Sequence, residues 1–472
     1  MKNNLAKLFL IISLFFGTLF IFIVPSFNSP DEDSHFIYAY ETSVGNFIPK
    51  VTNKVSGYDV PLAIFEGISE TKPITEDKDN KYKYSEMYDD QMLPQDFSKL
   101  VFNRTVIQNA PKIAYLAPAL GIFVARHSHI FSASTMSTHV LVQFARFFSL
   151  LVYSVIGYLA IRMTPKFKKS FFAVLLLPLA VFLRSMVTYD GILLVTVALV
   201  LAEILRLIDG NTKITKKDYA LLILTGFILL NVKMLYSIVF FGLLAVPKEV
   251  FGGDKKKKIK SIIFIAGTIL VISYLRKIPY MFLGETVGDP NIPVQMNYIK
   301  SHPFSYLKTL VRNVIGQRRV QEYWMLATLG HLDTYLPVLM LMILRYYLIL
   351  VFMLDALYER IRIPKWVKIG YFILVLFDIA GMYTMMYLSW TPAVTGKIGG
   401  NEITGIQGRY YLPFLFLVPI IFNNKLIDKI PKRMKIYGIL NKLKEIFDNN
   451  FYYITIMSLI VSTFILIIRY YC

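Results

Sequence analysis

Apolar runs near the length of a bilayer crossing recur along the whole chain, parted by short polar segments. A crossing helix needs about 20 predominantly apolar residues at a rise of roughly 1.5 Å each. Such runs lie at 8–24, 138–159, 170–183, 188–207, 219–230, 235–246, 259–272, 336–357, 367–388, 411–422 and 451–468. The pattern predicts an all-α polytopic membrane protein of about eleven transmembrane helices, with residues 1–472 forming one integral membrane domain. The first run lacks a small-x-small cleavage pattern and is read as a retained helix. The runs 219–230 and 235–246 are short and flank Asn231-Val232-Lys233, which suits a locally thinned bilayer or a helical hairpin.

Three polar stretches interrupt the pattern. Residues 28–137 are far too many for a tight connection and are read as a first extracytoplasmic loop with structure of its own. Within it, 109–125 is apolar but short and broken by Pro111, Pro118 and Gly121, as expected of a re-entrant or interfacial helix. Residues 276–335 form a second large extracytoplasmic loop. Residues 389–410 form an outer loop made pliable by Gly396, Gly399, Gly400, Gly405 and Gly408.

Composition sharpens this picture. The chain is 55% hydrophobic and 17% charged, against roughly 25% charged in ordinary soluble proteins, which excludes a soluble enzyme. The net charge of +20 would point to nucleic acid in a soluble chain. Here about 27 of the 51 basic residues fall in alternate loops, including Lys255 to Lys258 and the stretch 425–444. That asymmetry follows the positive-inside rule, puts the N-terminus in the cytoplasm and leaves no call on nucleic acid; anionic membrane lipid is the expected partner of these cations. The only cysteine is Cys472, so no internal disulfide or thiolate metal site is available.

With this topology the unusual polar residues gather on the outer side. Pro30-Asp31-Glu32-Asp33-Ser34-His35-Phe36 follows the first run; in a helix Asp31 and His35 share a face, and Asp31 also suits a helix cap. Arg184 and Asp190 flank the passage from the third run to the fourth. His331 and Asp333 stand in Leu329-Gly330-His331-Leu332-Asp333-Thr334, and Gln407-Gly408-Arg409-Tyr410 precedes the tenth run. Deeper lie Arg146, roughly 12 Å along the second run, and Arg345, roughly 15 Å along the eighth. Asp378 lies at a similar depth in the ninth and is expected to neutralise Arg345.

Three ordered motifs carry a resemblance over essentially the whole chain. They are Pro30-Asp31-Glu32-x-x-His35-Phe36, Leu329-Gly330-x-Leu332-Asp333-Thr334-x-Leu336-Pro337 and Gln407-Gly408-Arg409-Tyr410-x-Leu412-Pro413. The chain resembles an uncharacterised family of large bacterial membrane proteins, which in turn looks like GT-C-type glycosyltransferases. It departs from the family pattern at His331, where Trp is frequent, and at Asp33, where a small residue or Pro is usual.

The resemblance implies a bacterial plasma membrane, a polyprenyl-phosphate-linked sugar donor and a cell-envelope glycan or lipid acceptor. Such a transfer needs a base for the acceptor hydroxyl and compensation for charge on the departing phosphate. On this reading Asp31 is the base and Glu32 its catalytic neighbour. His35, Arg146, Arg184, Asp190, His331, Asp333, Gln407, Arg409 and Tyr410 bind substrate, with Arg409 forking onto phosphate. A divalent cation (Mg or Mn) on Asp31 and Glu32 and a metal-free version both remain open. The competing expectation is a transporter or flippase of a lipid-linked glycan, with Arg146, Arg345, Asp378 and Asp190 along a path.

Overall fold

The computed structural model describes residues 2–83, 95–104, 111–128, 136–283, 289–424 and 426–472. The chain is a mostly helical, polytopic membrane protein. Eight helices among the described residues are long and apolar enough to cross a bilayer: Asn4–Ile23, Thr138–Met163, Tyr189–Asp209, Lys255–Met281, Val338–Tyr358, Lys365–Thr395, Gly408–Lys429 and Lys435–Tyr471.

The three other expected segments are helical but shorter or broken. Pro178 cannot continue a helix, so the third segment divides into Lys168–Leu175 and Pro178–Ser185. Lys216–Val232 opens on a capping box between Thr215 and Asp218. Met234–Ala245 is wound in tighter 3₁₀ turns, about 24 Å long at roughly 2 Å per residue. There Gly242 lets the Tyr371 hydroxyl approach and donate to the Val239 carbonyl at 2.7 Å.

Tyr189–Asp209 is the hub, buried along almost its whole length by Thr138–Met163, Pro178–Ser185, Lys216–Val232, Met234–Ala245 and Gly408–Leu417. Lys255–Met281 and Lys365–Thr395 are the most exposed spans and present Ile263, Phe264, Ile373 and Phe377 outward. One end of the bundle carries Ile23, Thr138, Tyr189, Val338 and Leu388, and the other carries Met163, Asp209, Tyr358 and Lys365. The clustered lysines belong to the second end.

The first loop begins with the helix Glu32–Ser43 and continues into an antiparallel sheet of Lys50–Thr52, Val55–Pro61 and Leu100–Arg104. This sheet is an addition to the expected all-α fold. Gly57 opposes Arg104 in it, and a side chain there would collide with the Asn103 carbonyl. The apolar stretch 109–125 falls partly outside the described residues; its remainder forms Lys112–Tyr115 and Leu116–His127. Twelve residues reach about 18 Å, too short to cross. Gly121 seats this helix against the Phe144 backbone, two turns inside Thr138–Met163.

The expected pair of Arg345 with Asp378 does not form. The second large loop folds back as Asn291–Ser301, Pro303–Gly316 and Arg318–Leu326. It thereby delivers Glu322 to Arg345, with a 2.8 Å bond to one of the two carboxylate oxygens that the guanidinium forks onto. Asp378 stays buried, and its Oδ2 meets no hydrogen-bond partner.

Candidate functional site

The chain leaves the first helix at Val24 and turns twice through left-handed backbone, at Phe27 and at Asp31, before Glu32–Ser43 begins. For residues other than glycine that conformation costs about 1–2 kcal/mol. At Asp31 it turns the side chain away from the helix it precedes: the carboxylate caps no backbone N–H and instead accepts from Arg409 Nη2 at 2.7 Å. Arg409 also donates to the Pro30 carbonyl at 3.4 Å and lies 3.2 Å from Asp190.

The two partners differ in access. The Asp31 side chain is 57% exposed and the Arg409 side chain 4%. A buried guanidinium therefore lies between one outward carboxylate and one buried carboxylate. Burial works against the Asp31 anion, but Arg409's charge and hydrogen bond, with help from His35 and His331, hold its pKa below the usual value.

Arg409 is placed by close backbone packing. A side chain at Gly408 would meet Met325 N and Trp324 C at 2.3 and 2.4 Å, so only glycine admits the helix Arg318–Leu326 this near. Asp190 is set at the start of Tyr189–Asp209, where the Thr188 hydroxyl caps its N–H at 3.2 Å.

Around these charges stand aromatic walls. His35 Nδ1 is 2.8 Å from the Tyr115 hydroxyl, and its ring meets Tyr189 edge-on at 4.7 Å. Burial, opposed by Asp31 and Asp190, lowers His35 to about 4, so the imidazole is neutral near pH 7. The Tyr236 hydroxyl donates to the Tyr410 carbonyl at 2.9 Å.

Lys233 completes the cluster. Its ammonium lies 3.4 Å from the centre of the Tyr410 ring, within the electrostatic reach of Asp190, Arg409 and Asp31. Sequence reasoning passed over it as a spacer between two short runs. The usable signal was a lone lysine set between two short apolar runs.

Asp31, His35, Asp190, Arg409 and Tyr410 thus come together, with His331 close enough on its exposed turn to favour the Asp31 anion. Gln407 adjoins them in sequence, and its buried Oε1 has no partner. Glu32 and Arg146 form a different unit. Arg146 grips both Glu32 oxygens at 2.8 and 2.6 Å and donates to the carbonyls of Val24 and Pro25, while Val187 N–H adds a third bond to Glu32. The Asp31 and Glu32 carboxylates, to which the sequence left a shared divalent cation open, are therefore divided between two arginines. Among the described residues no three His, Cys, Asp or Glu side chains converge to hold a metal ion.

Asp333 bonds Arg469 at 2.7 Å, which also donates to the Ile74 carbonyl. Arg184 does not reach the end of the bundle that carries Ile23 and Tyr189. Pro178–Ser185 ends before the level of Val24, and Arg184 donates to Ser13 at 3.0 Å with Phe9 beneath its guanidinium, roughly 15 Å from the Ile23 end of the first helix.

No curated protein and no solved structure matches the chain. A family model does: with its match to residues 14–418, covering all three motif regions, the chain belongs to the family described as "Predicted membrane protein (DUF2142)".

Proposed function

We propose that the protein is a membrane glycosyltransferase of GT-C type that moves a sugar from a polyprenyl-phosphate-linked donor to a cell-envelope glycan or lipid, with about eleven crossings and the lysine-rich end in the cytoplasm. The observation that carries this reading is the shared guanidinium: Arg409 is buried between Asp190, which is also buried, and Asp31, which faces out. An incoming phosphate can exchange for Asp31 on Arg409 while Asp190 keeps the arginine in place. The exchange frees an ionised carboxylate beside the bound donor, where it can take the proton of an acceptor hydroxyl as the sugar–phosphate bond breaks. Lys233 adds a second cation for the departing phosphate.

The transporter alternative has less support. Three of the four charges expected along its path are committed elsewhere, Arg146 to Glu32, Arg345 to Glu322 and Asp190 to Arg409, which leaves Asp378 alone among them.

The test is transfer by the purified protein in vesicles supplied with a panel of polyprenyl-phosphate sugars and cell-envelope glycan acceptors, read as release of polyprenyl phosphate. Asp31→Asn should lower transfer by about 10²- to 10⁴-fold, the usual share of a general base, while donor still binds. Full activity in Asp31→Asn would remove Asp31 from the chemistry.

A further inference from the structure

The helix Pro303–Gly316 is amphipathic in an unusual setting. One face is packed into the protein: Tyr306 meets the Thr384 hydroxyl at 2.5 Å, and Thr309 and Asn313 are buried. The other face is an open apolar stripe at helical spacing, with Phe304 86% exposed and Leu307, Val311 and Ile315 each about half exposed. Lys308 and Arg312, both exposed, flank one edge of this stripe.

Two contacts fix its depth. Thr384 is one turn, roughly 6 Å, inside the Leu388 end of Lys365–Leu388. Glu322, on the next helix of the same arm, reaches Arg345, roughly 10 Å inside the Val338 end of its helix. The stripe therefore lies where hydrocarbon gives way to headgroups, continuous with the lipid-facing surface of the spans.

The buried side of this arm is a ladder of three amides spaced by four residues. Asn313 donates to the Asn401 carbonyl at 3.0 Å and accepts from Ile403 N–H at 3.1 Å. Gln317 donates to the Ile403 carbonyl at 2.7 Å, and Gln321 to the Ile406 carbonyl at 3.2 Å. These bonds hold the backbone that runs directly into Gly408 and Arg409.

From this arrangement we infer that Pro303–Gly316 docks through Phe304, Leu307, Val311 and Ile315 into the headgroup boundary of an anionic phospholipid leaflet. Lys308 and Arg312 take the headgroups, and the amide ladder transmits the docking to the segment that presents Arg409. A stripe of this kind, with cations beside it, is the form of an interfacial lipid-binding helix. The inference stands whatever reaction the Asp31 site performs.

Full-length protein with Cys472→Ser, carrying Phe304→Cys or Val311→Cys, is labelled with bimane in phosphatidylglycerol-containing vesicles, and Asp79→Cys serves as the aqueous control. Labels on the stripe should be quenched by lipid spin-labelled near the headgroup and spared by iodide, with the reverse at Asp79. Quenching of the stripe by iodide would overturn the docking, as would shielding from both quenchers with cross-linking between Phe304→Cys copies, which would make the face a protein interface. In the second arm, amide exchange over residues 401–407 should be slower in phosphatidylglycerol than in phosphatidylcholine vesicles, by roughly fivefold per headgroup charge engaged. Lys308→Gln with Arg312→Gln should abolish that difference. Equal exchange in both lipids would overturn the transmission to Arg409.

Discussion

Asp31 and Glu32 are neighbours of the same charge, each bound by an arginine more than a hundred positions away, yet their surroundings differ in kind. Glu32 is wholly buried, both its oxygens are held, and its arginine also ties down the Val24 and Pro25 carbonyls just past the first helix. Asp31 is open to the exterior on an arginine that has a second acid in reserve. Removing one member of a closed, dry pair leaves a naked charge, whereas removing the exposed member of a triad leaves the rest neutralised. The comparison separates a residue that holds the fold from one that is free to act.

The sharpest way to break the contrast is to neutralise both positions. Glu32→Gln should cost about 3–5 kcal/mol by stranding Arg146, and the yield of folded protein on size-exclusion chromatography should collapse. If Glu32→Gln folds as well as the parent, the pair does not hold the fold.

His35, one turn further along, sharpens the comparison through pH. Its folded pKa of about 4 lies below the ordinary 6.5, so the unfolded chain binds the proton more readily. The stabilisation is whole above pH 6.5 and is lost as the pH falls through about 4. A gap of this size corresponds to about 3 kcal/mol. Thermal unfolding at pH 7, 5 and 4 should show the decline, and His35→Phe should flatten it; an unchanged slope would assign the decline to other groups.

The smallest effect belongs to Asp31 itself. Asp31→Asn should alter stability by no more than about 1 kcal/mol, since Asp190 still faces Arg409. Its folded pKa already lies below the usual value, so its stabilisation is present across pH 5–8 and fades only in strong acid. A loss as large as that of Glu32→Gln in the same unfolding assay would erase the distinction.

Much of the architecture was legible because apolar periodicity reports length and composition directly. It placed apolar segments that are helical in the structure, eight of them long and apolar enough to cross, but it missed the break that Pro178 puts in the third. Periodicity is silent on which neighbour a helix touches. Tyr189–Asp209 and Lys435–Tyr471 are alike in apolarity, yet one is the hub and the other is only about one-third buried. Arg345 was matched to Asp378 on depth alone, and only the fold-back of 291–326 reveals Glu322 as its partner. Asp31 and Arg409 within the motifs, and Asp190 outside them, were legible as charges beside apolar runs. Lys233 was not, because its role depends on the ring of Tyr410, 177 positions later.

The guanidinium of Arg146 on the Val24 and Pro25 carbonyls bears on biogenesis. The ribosome makes Arg146 more than a hundred residues after the helix end it clamps, so the first helix and the whole 28–137 stretch are synthesised before the clamp exists. Until Thr138–Met163 arrives, Glu32 has no counter-charge and the first helix has no fixed exit angle. A nascent chain released short of that helix would carry an unanchored, acidic loop, and quality-control proteases would meet it in that state.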